Sequence, residues 1–138
     1  MGFVFADITL CNAGDIELAR QGYKKPEEIR AVIVSALVDS GAYSLALPED
    51  LVVQLDLPHV EFREFGMADG SKVKMPVVGP VVVKFRNRQT VCYAVRTHDE
   101  DVLLGSIPME DMDVIINPRS QTLEVNPESP YMPKMKLK

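Results

Sequence analysis

Tryptophan is missing from the 138 residues, and histidine and cysteine each occur only twice. Each shortage closes off a class of protein. Cys11 and Cys92 stand far apart and form no Cys-x-x-Cys, so neither a disulfide framework nor a zinc knuckle fits them. They read as half-buried strand thiols of a reduced, cytoplasmic protein. His59 and His98 both lie beside turn residues and read as solvent-facing side chains. The chain has no His-Glu-x-x-His and no Gly-rich phosphate loop. It also lacks an Asn-x-Ser/Thr acceptor. No apolar run reaches the length of a membrane span: the longest, Ala31 to Val38, has eight residues and includes Ser35. The first residues lack a basic stretch, and Asp7 interrupts their apolar run, so they do not read as a signal peptide. Gly2 is followed by Ala6, where a myristoylation signal needs Ser or Thr.

Positive charge is scarce too. Fifteen basic residues against twenty acidic ones leave a net charge of −5. Residues 126–138 hold Lys134, Lys136 and Lys138 against Glu128, so the remainder of the chain stands at −7. A negative body without a basic stripe does not attract a phosphate backbone. The expectation is a protein with no nucleic-acid partner and no membrane partner. The acids Asp99, Glu100, Asp101, Glu110, Asp111 and Asp113 lack the alternate spacing and the glycine of a calcium loop. They read as a solvated acidic face, and no metal or other cofactor is expected.

What is present is an ordinary globular composition, 46% hydrophobic and 25% charged, in a chain of 15.4 kDa. That is the size of one domain. Short strand-like runs dominate. Phe3–Leu10 is a strand candidate, and Asn12–Asp15 reads as a turn leading into Ile16–Ala19. Glu28–Val38 is apolar on both faces at its centre, the mark of an interior strand. Pro48-Glu49-Asp50 opens a short helix to about Leu55, with proline and two acids suited to its first turn. Val60–Phe65 and Val73–Val77 flank Met67-Ala68-Asp69-Gly70-Ser71, a hairpin signal built on Asp-Gly. Val81–Phe85 and Thr90–Val95 flank a second hairpin turn at Asn87-Arg88. Val102–Leu104 is a short strand, and Ile107–Asp113 a second short helix with Pro108 in its first turn. Val114–Ile116 and Gln121–Val125 close the pattern around Asn117–Ser120. The prolines of residues 126–138 predict an extended or loose tail. Together these elements predict an all-β fold, a mostly antiparallel barrel or sandwich with one or two short helices.

One string carries chemistry: Ala36-Leu37-Val38-Asp39-Ser40-Gly41-Ala42. An apolar strand ends abruptly in a carboxylate, a hydroxyl and a glycine. Burial raises a carboxylate's pKa, so Asp39 at such a point is expected to be hydrogen-bonded or used. Gly41 allows a tight turn that brings backbone N–H groups toward it, and Ser40 can anchor the loop through its hydroxyl. Taken alone, the string reads first as a turn that caps a strand, because Asp-Ser-Gly is also ordinary turn chemistry.

The stretch resembles the active-site loop of the retropepsin-like aspartic proteases, which carry Asp-Thr/Ser-Gly-Ala after an apolar strand. Two further features match in order. A hairpin with a Gly-containing tip, Met67–Ser71, stands where that family has its flap. An apolar-apolar-Gly element, Leu103-Leu104-Gly105, leads into a helix. Residues 3–125 as a whole resemble the small single-domain bacterial members, including Leu45–Pro48 after the loop. The resemblance implies a closed retropepsin-like β barrel over residues 1–125, with residues 126–138 appended as a Pro/Lys-rich tail. It implies an aspartic endopeptidase with Asp39 catalytic and Ser40 and Gly41 shaping its loop. Ala42, Met67, Ala68, Asp69, Gly70, Ser71, Leu103, Leu104 and Gly105 would contact a peptide or protein substrate. Aspartic proteolysis needs two carboxylates, and the chain offers one Asp-Ser-Gly, so the implied unit is a homodimer with both Asp39 side chains at its axis. The chain departs from the retroviral pattern in its single flap glycine, between Asp69 and Lys72, and in Ser106, where retroviral members brace the dimer with an Arg-containing segment. The rival reading is a catalytically silent homodimer of the same fold that binds peptides or a partner protein.

Overall fold

The computed structural model describes residues 3–138; the reading of Gly2 falls outside them. The strands are β1 (Val4–Asn12), β2 (Ala31–Val38), β3 (Leu45–Pro48), β4 (His59–Gly66), β5 (Lys72–Phe85), β6 (Arg88–Thr97), β7 (Val102–Leu104), β8 (Val114–Asn117) and β9 (Thr122–Val125). Three short helices intervene: α1 (Ala13–Arg20), α2 (Glu49–Gln54) and α3 (Ser106–Met112). Six strands run in the order β1-β2-β7-β3-β6-β5, and β5 returns to pair with β1, which closes the barrel. Strand β4 is added outside β5, and β8–β9 form a separate two-stranded ribbon. Most neighbours are antiparallel, but β2–β7 and β3–β6 are parallel. Closure removes the open edges that a sheet of short strands would otherwise expose.

The core fills the barrel with inward residues of alternate strand positions, among them Ile8, Leu10, Leu45, Leu47, Val81, Val83 and Leu104, all essentially inaccessible. Strand β2 lies inside the sheet order, yet only its even-numbered residues turn inward, and Ile33 on the outer face is 73% exposed. Its apolar outer positions are therefore barrel surface and not a second core.

Several elements differ from the sequence pattern for identifiable reasons. Asn12 caps a helix: its side-chain oxygen accepts from the Asp15 amide at 3.0 Å, so the apparent turn is the first turn of α1. Buried Asn12 also donates to the Leu55 carbonyl at 2.8 Å, tying α1 to the end of α2. Strand β2 starts at Ala31 because Pro26–Glu28 form a 3-10 turn. The runs on either side of Gly79-Pro80 are one long strand, β5, which absorbs the interruption in an irregularity between Val78 and Val81.

Arg88, read as a turn residue, is buried in β6 at 2% exposure. Asp113, read as part of a solvated face, is partly buried at the left-handed cap of α3 (φ 56°). Both belong to a polar cluster that holds the tail. The Asp113 carboxylate accepts from the Ser129 hydroxyl, the Asn126 amide (3.0 Å) and the Lys134 backbone N–H (2.9 Å). The Arg88 guanidinium donates to the Ser129 carbonyl and faces Asp113 at 3.9 Å. Ser129 is only 4% exposed, so the tail as far as Lys134 is fastened to the body, with no regular secondary structure.

Hydrogen bonds from the Ser129 hydroxyl, the Lys134 amide and the Asn126 side chain lower the Asp113 carboxyl from 3.8 to about 2. A depressed carboxyl stabilises the folded form above its unfolded pKa and loses that contribution as pH falls through the folded value. The tail clamp should therefore be complete above about pH 4 and weaken toward pH 2. Amide exchange at Ser129 and Lys134, followed across that range, checks this. Protection that persists unchanged to pH 2 would contradict it.

Candidate active site

Asp39 is exposed at the end of β2, directly after buried Val38. The parallel ladder sets it there: Val38 pairs with Leu104, and the Asp39 amide donates to the Leu104 carbonyl at 3.0 Å. The chain then turns tightly. The Ala42 amide donates to the Asp39 carbonyl at 3.1 Å, and the Gly41 amide to Asp39 Oδ1 at 2.9 Å. The carboxylate thus organises its own loop, and among the described residues no hydrogen bond reaches its second oxygen. A Cβ at Gly41 would stand 3.2 Å from Oδ1. The Ser40 hydroxyl makes no hydrogen bond among the described residues, so the anchoring comes from backbone amides instead.

The loop is fastened on its far side by α3. The Ser106 and Ile107 amides, free donors of the helix's first turn, point at the Ala42 and Tyr43 carbonyls at 2.8 and 2.9 Å. Gly105 makes this approach possible. A Cβ there would lie 2.5 Å from the Ser44 carbonyl oxygen, 2.7 Å from the Tyr43 carbonyl carbon and 2.8 Å from the Ala42 carbonyl oxygen. Asp39, Gly41, Ala42, Leu104 and Gly105 are therefore one hydrogen-bonded, close-packed unit. Leu103 is half-buried in the same strand.

The tip residues Met67, Ala68, Asp69, Gly70 and Ser71 are all exposed at the end of the β4–β5 hairpin. Among the described residues no hydrogen bond joins them to the Asp39 loop. The tip is ordered internally. Ser71 donates to Asp69 from both its amide and its hydroxyl, which holds the Asp69 carboxyl below its usual range, and Gly70 supplies the left-handed position (φ 86°). The root of the hairpin approaches the site more closely. A cavity of about 140 Å³ is enclosed by Arg63, Phe65 and Val77 of the hairpin, by Ser44 after the loop, and by Ile107 and Pro108 of α3. A second cavity, about 400 Å³, opens beside Asp39 between Phe3, Val4, Leu37, Ser40 and Ile116; Asp39 is the one carboxylate lining it.

Sequence reasoning missed Tyr43, Ser106 and Ile107, which hold the loop through backbone groups, and Phe3, Val4, Leu37 and Ile116, which line the Asp39 cavity. Backbone partners carry no side-chain signature. His59 and His98 are exposed and outside both cavities. Both thiols are free, and burial pushes the Cys92 thiol up to about 11. No helix among the described residues is long and apolar enough to cross a membrane.

No family model and no curated protein matches the chain. Among solved structures it is similar to the EIAV protease complexed with the inhibitor HBY-793, with a TM-score of 0.54 and 14% sequence identity. The match covers 80% of this chain and 88% of that one. At this identity the likeness speaks for the backbone alone, and the closed six-strand barrel of this chain is a retropepsin-like fold.

Proposed function

We propose that this chain is an aspartic endopeptidase of the small single-domain bacterial kind, acting in the cytoplasm as a homodimer. Residues 1–125 are its protease domain, with the Lys-rich tail appended. One observation carries the reading. On a retropepsin-like barrel, an exposed aspartate ends a barrel strand directly after buried Val38, with one oxygen bound by its own loop and the loop backed by a helix through a glycine. A turn that merely capped a strand would need no such backing.

Asp39 is the catalytic residue in this reading, and Gly41 and Ser40 shape its loop. Ala42, the tip Met67–Ser71 and Leu103–Gly105 contact the peptide. The partner carboxylate comes from a second copy, because one chain supplies one Asp-Ser-Gly. Two carboxylates about 3 Å apart cannot both ionise easily, so the dyad holds one proton. The ionised member takes a proton from a water between them, and that water attacks the scissile carbonyl. The protonated member donates to the carbonyl oxygen as the tetrahedral intermediate forms. The exposed hairpin closes over the peptide and excludes bulk water.

Surface area supports the second copy. The chain exposes 9084 Å², whereas a compact monomer of its mass is expected to expose about 7,200 Å². The excess includes the projecting hairpin and the tail, and also Phe3, which lines the cavity beside Asp39 and is 78% exposed. The similar EIAV protease is complexed with an inhibitor, which is consistent with a peptide site on this barrel.

The test combines assembly and cleavage. At micromolar concentration, light scattering should report about twice 15.4 kDa. A mixed peptide library should be cut below pH 7, with cleavage falling at higher pH as the shared proton is lost, and a statine-type peptide should block it. A correctly paired dimer that cuts nothing between pH 3 and 8 would favour the silent peptide-binding module. A monomer that cuts would remove the one-carboxylate argument.

A further inference from the structure

Helix α3 is held at both ends. At its start, the Ser106 and Ile107 amides bind the carbonyls that leave the Asp39 loop. At its finish, Asp113 collects the tail through Ser129, Asn126 and Lys134, and the Asn126 amide donates to the Asp113 carbonyl at 3.2 Å. The helix has only seven residues, so the two attachments stand about 10 Å apart. Pro108, Met109 and Met112 are buried along it and stiffen the link. A displacement at one end of so short a rod is passed to the other.

The tail attachment is built to act as a unit. The Arg88 side chain is fully buried and rests on the Ser129 carbonyl, while Asn87 donates to the Pro130 carbonyl at 2.9 Å. Withdrawing the segment takes the Ser129 carbonyl from a buried guanidinium and the Ser129 hydroxyl from the Asp113 carboxylate, a costly loss of hydrogen bonds. The segment therefore stays or leaves as a whole. Simple coverage of the core would not require these polar contacts, because Ser129 is the one buried residue of the segment.

We infer that residues 126–134 are a positioning clamp for the Asp39 loop, with Asp113, Ser129 and Arg88 as positioning residues that act through α3. The catalytic consequence rests on the reading of Asp39 given above; the mechanical one does not. A misplacement of about 1 Å at a reacting group costs on the order of 10²-fold in rate, so a loosened clamp shows in turnover before it shows in substrate binding.

Two variants test this, Ser129→Ala and Asp113→Asn; asparagine tolerates the left-handed cap and preserves the fold. Amide exchange at Ser106 and Ile107 is expected to rise about tenfold in both, while exchange in β5 at Val82 and Val83 stays unchanged. With a cleavable peptide, kcat should fall about tenfold at a KM within twofold, and Ser129→Thr should restore it. Opening confined to Asn126–Lys134, with Ser106 and Ile107 unaffected, would overturn the clamp. So would a uniform rise across the barrel, which is plain destabilisation. If the unaltered protein cuts no peptide, the catalytic reading fails while the exchange result still decides the mechanical one.

Discussion

Asp39→Asn is expected to reduce peptide cleavage by on the order of 10⁴-fold, the upper end of what general acid–base groups supply. The substitution is unusually clean. Asparagine keeps the oxygen that accepts the Gly41 amide at 2.9 Å, so the loop retains its main internal bond. What disappears is the ability to ionise and share a proton. In the proposed homodimer one substitution removes both members of the dyad, so no residual half-site activity should survive. Thermal unfolding should stay within a few degrees of the unaltered protein, because Asp39 is exposed and contributes little to the core. Full activity in this variant, at any pH, would rule out aspartic catalysis.

The second large effect concerns Gly105→Ala, which leaves every chemical group of the site in place. The added methyl meets three backbone atoms of residues 42–44 at 2.5–2.8 Å, and none of them is the free end of a side chain. Either α3 or the loop must move. Overpacking of this kind costs about 3 kcal/mol, and a melting temperature about 10 °C lower follows for a chain of this size. Activity should be lost with it, because the Ser106 and Ile107 bonds to the loop cannot form at their present lengths. Differential scanning calorimetry with a parallel cleavage assay checks both. An unchanged melting temperature would mean that the close approach is not maintained in solution.

These two residues show what the sequence makes legible. Asp39 stands out because a carboxylate directly after a run of apolar residues has few explanations. The β4–β5 hairpin is equally open to reading, since Asp69-Gly70 sits between two strand-like runs with room for a tight turn. Gly105 can be noticed as the end of Leu-Leu-Gly, but the three atoms that forbid a side chain belong to residues sixty positions earlier. The parallel pairing of β2 with β7 and the antiparallel pairing of β3 with β7 bring them together. Strand β3, Leu-Ala-Leu-Pro, has no β-branched residue and no alternation, because it is buried on both faces between β7 and β6. Only family resemblance marked it. Arg88 and Asp113 were misread for a related reason. A charged residue in a turn sequence is normally solvated, and what buries these two is a tail whose three prolines suggested a segment without attachments.

The same parallel pairing decides when the site can exist. The Asp39 amide has no partner until Leu104 is made and docked, and the Ala42 and Tyr43 carbonyls wait for Ser106 and Ile107. The barrel itself closes only when residues 9–12 meet residues 81–84. Such distant pairings put the chain among slow-folding topologies, on the scale of milliseconds to seconds. On the ribosome, the first half of the protein therefore emerges with its aspartate in an unformed loop. A chain broken or stalled before residue 107 carries the Asp-Ser-Gly sequence without the geometry that organises it, and any hydrolytic power is confined to protein whose synthesis has passed that point.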